Sequence, residues 1–183
     1  MPTYLSRLLG YAALLLLTQC SKCKDDPAPR KPEDRLPAAT QTGANTFGCL
    51  LNGQPFLPKG DFSRHGLVVS YDPDLNGGTL QIRARGLTQQ NQEQLFILGG
   101  AFIARPGNHA FAAPGGYPYF FDESASAPCD SHYNEPEVYR RGSLTITRLD
   151  VRAGIVSGTF EFTLAKPGCD TIKVTHGRFD KQL

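Results

Sequence analysis

Residues 142–180 read GSLTITRLDVRAGIVSGTFEFTLAKPGCDTIKVTHGRFD, and the patterning of this stretch decides the fold class. Successive side chains of a strand point to opposite faces, so a half-buried strand alternates apolar and polar residues. Between Ile155 and Leu164, the residues Val156, Gly158, Phe160, Phe162 and Leu164 share one parity, and Ser157, Thr159, Glu161 and Thr163 share the other. Leu144 and Ile146 repeat the pattern against Thr145 and Thr147, and Ile172 and Val174 repeat it against Thr171, Lys173 and Thr175. This is the signature of antiparallel strands with one wet face. In the last strand Phe179 falls on the polar parity, and Gly177 lies between, which predicts a bulge or bend at that glycine. Three such strands do not bury an apolar face alone, so the rest of the chain must supply an opposing layer.

The residues before this stretch read the same way. Phe47 to Leu51, Asn52-Gly53 and Gln54 to Leu57 form a predicted β-hairpin, because Asn-Gly tolerates the positive φ of a two-residue turn. Leu67 to Tyr71 and Thr79 to Arg85 are predicted strands on either side of an Asp72 to Gly78 turn, and Leu95 to Ile103 is a strand with a bulge expected at Gly99-Gly100. His109 to Ala112 and the aromatic Tyr117 to Phe121 are shorter strands, and Asp122 to Arg141 is a long acidic and polar connection. Nine or ten short strands without a convincing helix predict an all-β domain over residues 47–183, an antiparallel β-sandwich or flattened β-barrel. The 19 Gly and 14 Pro suit such a turn-rich chain. Its 183 residues hold one domain, or one domain and a tail. The formal charge of +2 shows no basic patch and argues against a nucleic-acid partner.

The N-terminus reads as an address. Arg7 precedes the apolar run Leu8 to Leu17, a secretory core too short to span a bilayer. Leu17-Thr18-Gln19-Cys20 then resembles a bacterial lipobox, although Gln19 stands where a small residue is usual. Residues 1–19 are therefore expected to be a lipoprotein signal peptide and Cys20 the lipidated first mature residue, with the acyl chains anchoring the protein to a membrane. Simple secretion with cleavage nearby is the alternative. Lys24-Asp25-Asp26 resembles the export signal of surface lipoproteins in Bacteroidota-type bacteria, and an ordinary charged linker is its alternative. Residues 20–46 contain Pro27, Pro29, Pro32 and Pro37 without apolar periodicity, which predicts a disordered tether with a reach on the order of 80 Å.

The blocks TGANTFGCLLNG near the start of the domain and GSLTITRLD, VSGTFEFTL and VTHGRFD at its end resemble a family of uncharacterised Bacteroidota lipoproteins, a domain of unknown function. The likeness covers both ends of the domain but not its middle. It implies a β-rich domain on a lipid anchor and an acidic residue where His176 stands, and it implies no activity and no site residues.

Candidate chemistry is sparse. Asp72, Asp74 and Asn76, with Gly77 following, have the opening spacing of a calcium loop. The twelfth position carries Arg83 in place of Glu, and the same residues make a plain turn. Asp122, Glu123, Asp130, Glu135 and Glu137 fit no ligand order and read as a solvated acidic loop. His65, His109, His132 and His176 show no metal-ligand spacing, and no serine sits in a nucleophile elbow. Tyr117, Tyr119, Phe120 and Phe121, with Tyr133 and Tyr139, offer ring faces for sugars or protein partners. The competing expectation places Tyr119 and Phe121 in the core. Cys23, Cys49, Cys129 and Cys169 allow three pairings. A Cys129–Cys169 bridge between two loop positions is expected, with Cys49 a small buried residue in the first strand. The sequence thus predicts an outer-membrane-anchored surface lipoprotein that binds a protein or glycan ligand without catalysis or cofactor. A structural envelope protein, or a glycan or peptide hydrolase, are the alternatives.

Overall fold

The computed structural model describes residues 31–58, 66–112, 115–132 and 137–183. Its strands are β1 (Thr46–Leu51), β2 (Gln54–Phe56), β3 (Leu67–Asp72), β4 (Thr79–Leu87), β5 (Glu93–Gly100), β6 (Gly107–Ala110), β7 (Gly116–Asp122), β8 (Ser131–His132), β9 (Tyr139–Asp150), β10 (Ile155–Ala165) and β11 (Ile172–Gln182). They form two antiparallel sheets, a six-stranded one in the order β2-β1-β11-β10-β9-β6 and a five-stranded one in the order β3-β4-β5-β7-β8. The predicted all-β sandwich is the observed architecture. Among the described residues there is no α-helix, and none of the helical turns is long and apolar enough to cross a membrane.

The quoted stretch forms β9, β10 and β11, the centre of the larger sheet. Their apolar parity supplies one layer of the core through Leu144, Ile146, Phe160, Phe162, Leu164 and Phe179. Leu80, Ile82, Phe96, Leu98 and Phe120 supply the other from β4, β5 and β7. Phenylalanine rings join the layers: Phe96 meets Phe56 at 4.7 Å, Phe120 at 4.8 Å and Phe162 at 6.1 Å between ring centres. Edge-to-face and tilted pairs of this kind add to the burial of the rings themselves.

The phase break before Phe179 is a bulge. Phe160 pairs with Gly177 while Phe162 pairs with Val174, so β11 carries one more residue than β10 over this step. The same extra residue appears against β1, between Gly48 and Leu50. His176, at φ 54°, takes the left-handed conformation that the bulge requires, one residue before the expected glycine. Gly177 has a separate reason to lack a side chain, since a Cβ there would lie 2.4 Å from the Phe160 ring.

Three expectations are corrected. No bulge forms at Gly99-Gly100, because both residues pair in register with Gln81 and Leu80. The strand ends there, Phe102 turns the chain at φ 62°, and Ile103 returns fully buried to the core. Residues 31–45, expected within the disordered tether, instead lie packed on the domain. Pro32–Arg35 makes a short 3-10 turn, and Leu36 is 8% exposed. Finally, the core takes Phe120 rather than Tyr119 and Phe121. Pairing with β5 places Phe120 opposite Phe96, which turns its two neighbours outward.

Candidate functional site

The order of the N-terminal segment rests on one carboxylate. Asp180 follows the core residue Phe179, so its side chain points to the outer face of the six-stranded sheet, where it is nevertheless 1% exposed. It accepts hydrogen bonds from the hydroxyls of Ser157 and Thr40 at 2.6 Å and from the backbone N–H groups of Thr42, Gly43 and Ala44 at 2.8–3.1 Å. Burial alone would raise its pKa. The donors from Ser157, Thr40, Ala44 and Thr42 outweigh that and hold the carboxyl well below the usual carboxylate range. Arg148 adds a contact by donating to the Gln41 carbonyl, and Arg178 donates to the Pro37 carbonyl. The segment thereby covers one end of the outer face.

Beside it lies an open groove of about 650 Å³, with Ala39 among its lining residues. Asn108, Thr145, Thr159 and Arg178 form one cross-strand row of it over β6, β9, β10 and β11. Ser143 and Glu161 pair in the next row, where the His176 bulge widens β11. Asn108 is held in place by donating to Ser143 Oγ at 3.0 Å and Thr145 Oγ1 at 2.9 Å. A smaller hollow of about 220 Å³ shares Glu161 and Thr175 and continues to Arg141, Thr163 and Lys173.

The outer face of the five-stranded sheet has the opposite character. Leu95 pairs with Phe121, Ile97 with Tyr119 and Gly99 with Tyr117. These apolar and aromatic residues are half-buried and lie on the parity opposite the core. Next to them Val68, 47% exposed, pairs with Arg83, and Arg83 pairs with Ile97. Gly99 leaves a gap between Gln81 and Tyr117, and Gln81 Nε2 reaches the Tyr117 hydroxyl at 3.5 Å across it. At the ends of the strands, Leu75 and Phe102 are exposed.

The remaining sequence candidates are placed as follows. Asp72 Oδ1 accepts the N–H groups of Asp74 and Leu75, which closes the turn, and Asn76 is left-handed at φ 50°. Arg83 sits well into β4 opposite Val68, away from this turn, so Asp72, Asp74 and Asn76 are not joined by a residue from the twelfth position. In the acidic segment, Asp122 accepts from Ser124 and Gln94, and Glu123 accepts from the Glu93 N–H. Among the described residues no three His, Cys, Asp or Glu side chains gather as a metal group. Cys129 and Cys169 form the expected disulfide, with a Cα–Cα distance of 5.4 Å. Cys49 is fully buried, and burial pushes its thiol pKa far up, which leaves it inert. Cys20, Cys23, Lys24, Asp25, Asp26, His65, Tyr133 and Glu135 lie outside the described residues.

Sequence reasoning missed Asp180 and the groove. The only signal for Asp180 was its polar identity beside Phe179 on a strand that had changed phase. Comparison with protein-family models, with curated proteins and with solved structures returned no match to this chain.

Proposed function

We propose that this protein is an outer-membrane-anchored surface lipoprotein whose sandwich domain binds a partner without catalysing a reaction. The aromatic and apolar outer face of the five-stranded sheet carries this reading. A domain that served only as a spacer has no use for Leu95, Ile97, Tyr119 and Phe121 on a solvent-side parity, whereas aromatic residues beside arginine are the composition of protein interfaces. The lipobox-like Leu17 to Cys20, the Lys24-Asp25-Asp26 motif and the family resemblance at both ends of the domain support the anchor and the surface location. Leu36 and Thr40 to Ala44 are fixed to the domain, so this part of the expected tether belongs to it.

Two measurements test the proposal. Protease added to intact cells is expected to digest the domain, and protection until lysis would overturn the surface location. A photo-crosslinking residue at Ile97 is expected to give a defined adduct on intact cells that the same residue at Val151 does not. Equal or absent adducts at both positions would favour the structural-protein alternative.

A further inference from the structure

We propose that the groove on the outer face of the six-stranded sheet binds an acidic saccharide chain. Arg178, Arg141 and Lys173 would take its carboxylates, and the Ser, Thr and Asn side chains between them its hydroxyls. The inference does not depend on the apolar face or on the surface location.

Charge is the first argument. The two adjoining hollows are lined by three cationic side chains, Arg141, Lys173 and Arg178, against one carboxylate, Glu161. Among the described residues the ion pairs are Arg85 with Glu93 and Arg148 with Asp150, so none of the three cations has a carboxylate partner. Arg178 is held by backbone carbonyls instead, with Nε donating to His176 at 3.1 Å and Nη1 to Pro37 at 3.3 Å. Carbonyls fix a guanidinium without cancelling its charge, and the remaining N–H groups keep the fork geometry that suits a carboxylate. The left-handed His176 supplies one of those carbonyls, which gives the bulge a use at this site.

Geometry is the second argument. Arg141 and Lys173 both pair with Thr163, and Arg178 pairs with Thr159. Thr159 and Thr163 are four residues apart on β10, roughly 13 Å at strand spacing. Cations spread along the strand in this way suit an oligomer with recurring carboxylates better than one small anion. Arg178 shares its row with Asn108, Thr145 and Thr159, and the row between it and the Arg141–Thr163–Lys173 row holds Ser143 and Glu161, so the cations flank a surface of hydroxyls and an amide with one carboxylate in it. Hydroxyls and amides both donate and accept, as sugar hydroxyls do. The groove volume of about 650 Å³ lies within the range of small-molecule sites, and its open form suits a chain that runs on past either end.

The test titrates the detergent-solubilised full chain with oligomers of galacturonate, glucuronate and mannuronate, with a neutral galactose oligomer of equal length, and with inorganic phosphate. At least one acidic oligomer is expected to bind, with the neutral oligomer and phosphate weaker by about tenfold or more. Lys173→Gln should weaken binding and reduce its salt dependence, and Arg178→Gln should weaken it by about tenfold. Glu161→Gln should tighten it, because it removes the one like charge in the groove. Arg178 also holds Pro37, so Lys173→Gln, which leaves that contact alone, keeps the test valid if Arg178→Gln disturbs folding. Failure of every acidic oligomer to bind, equal binding of the neutral one, or weaker binding by Glu161→Gln would overturn the proposal. Competition by phosphate as effective as by the oligomer would do the same.

Discussion

On the outer face of the six-stranded sheet, β9, β10 and β11 present Ser143, Thr145, Thr159, Glu161 and Arg178 to solvent. On the outer face of the five-stranded sheet, β5 and β7 present Leu95, Ile97, Tyr117, Tyr119 and Phe121 in the equivalent position. Both sheets bury the other face in one phenylalanine-rich core, so the core does not dictate the difference. The six-stranded face is also furnished from outside its own strands, by the N-terminal segment that Asp180 binds down. One face is polar and walled; the other sets apolar and aromatic residues beside Gln81, Arg83 and Arg85. A sheet needs only one buried face for stability, so the composition of the second is free to vary, and here the two second faces differ in chemistry.

The largest expected effect separates inward from outward aromatics. Phe120→Ala should cost about 3–5 kcal/mol in urea unfolding, while Phe121→Ser, its neighbour on the outer face, should cost under about 1 kcal/mol. Equal losses would mean that Phe121 is packed, and the open face would not exist. Next, Asp180→Ala should destabilise by about 3 kcal/mol, because the buried Ser157 hydroxyl and several part-buried donors lose their acceptor together. The pH dependence follows with a fixed sign. The folded carboxyl sits below its unfolded value of about 3.9, so its contribution is complete at neutral pH. That contribution is lost as the pH falls from about 5 through the folded pKa. Wild type should show this acid loss and Asp180→Asn should lack that part of it.

The Cys129–Cys169 bridge joins the connection after β7 in one sheet to the turn before β11 in the other. Closing a loop of 40 residues is worth about 2–4 kcal/mol. Paired Cys129→Ser and Cys169→Ser should therefore lower the urea midpoint without changing ligand preference at either face. Peptide mapping that found both thiols alkylated without reduction would remove the bridge. The smallest effect is on Cys49, which should resist alkylation in the native protein and react only on unfolding. Fast labelling of folded protein would show that the core near β1 is open to solvent.

Much of the fold was legible because strand alternation is local. Val156 to Leu164 and Leu80 to Ala84 announce their faces within a few residues, and Asn52-Gly53 names its own turn, with φ of 48° and 80°. The segment YPYFF at 117–121 has aromatic residues on both parities, so its inward side was settled only when Phe120 met Phe96 across the sheet. The disulfide was legible for a different reason, since both cysteines fell in predicted loops.

The sequence by itself determined an all-β chain and the phase break in its last strand. Those properties depend on neighbours along the chain. The tertiary structure alone decided that Thr40 to Ala44 belong to the domain, because their acceptor Asp180 lies more than 130 residues away. It also decided which aromatics face outward and that Arg178 ends a row of two hydroxyls and an amide from three other strands. Register between strands fixes such meetings, and no residue states its register in its own vicinity.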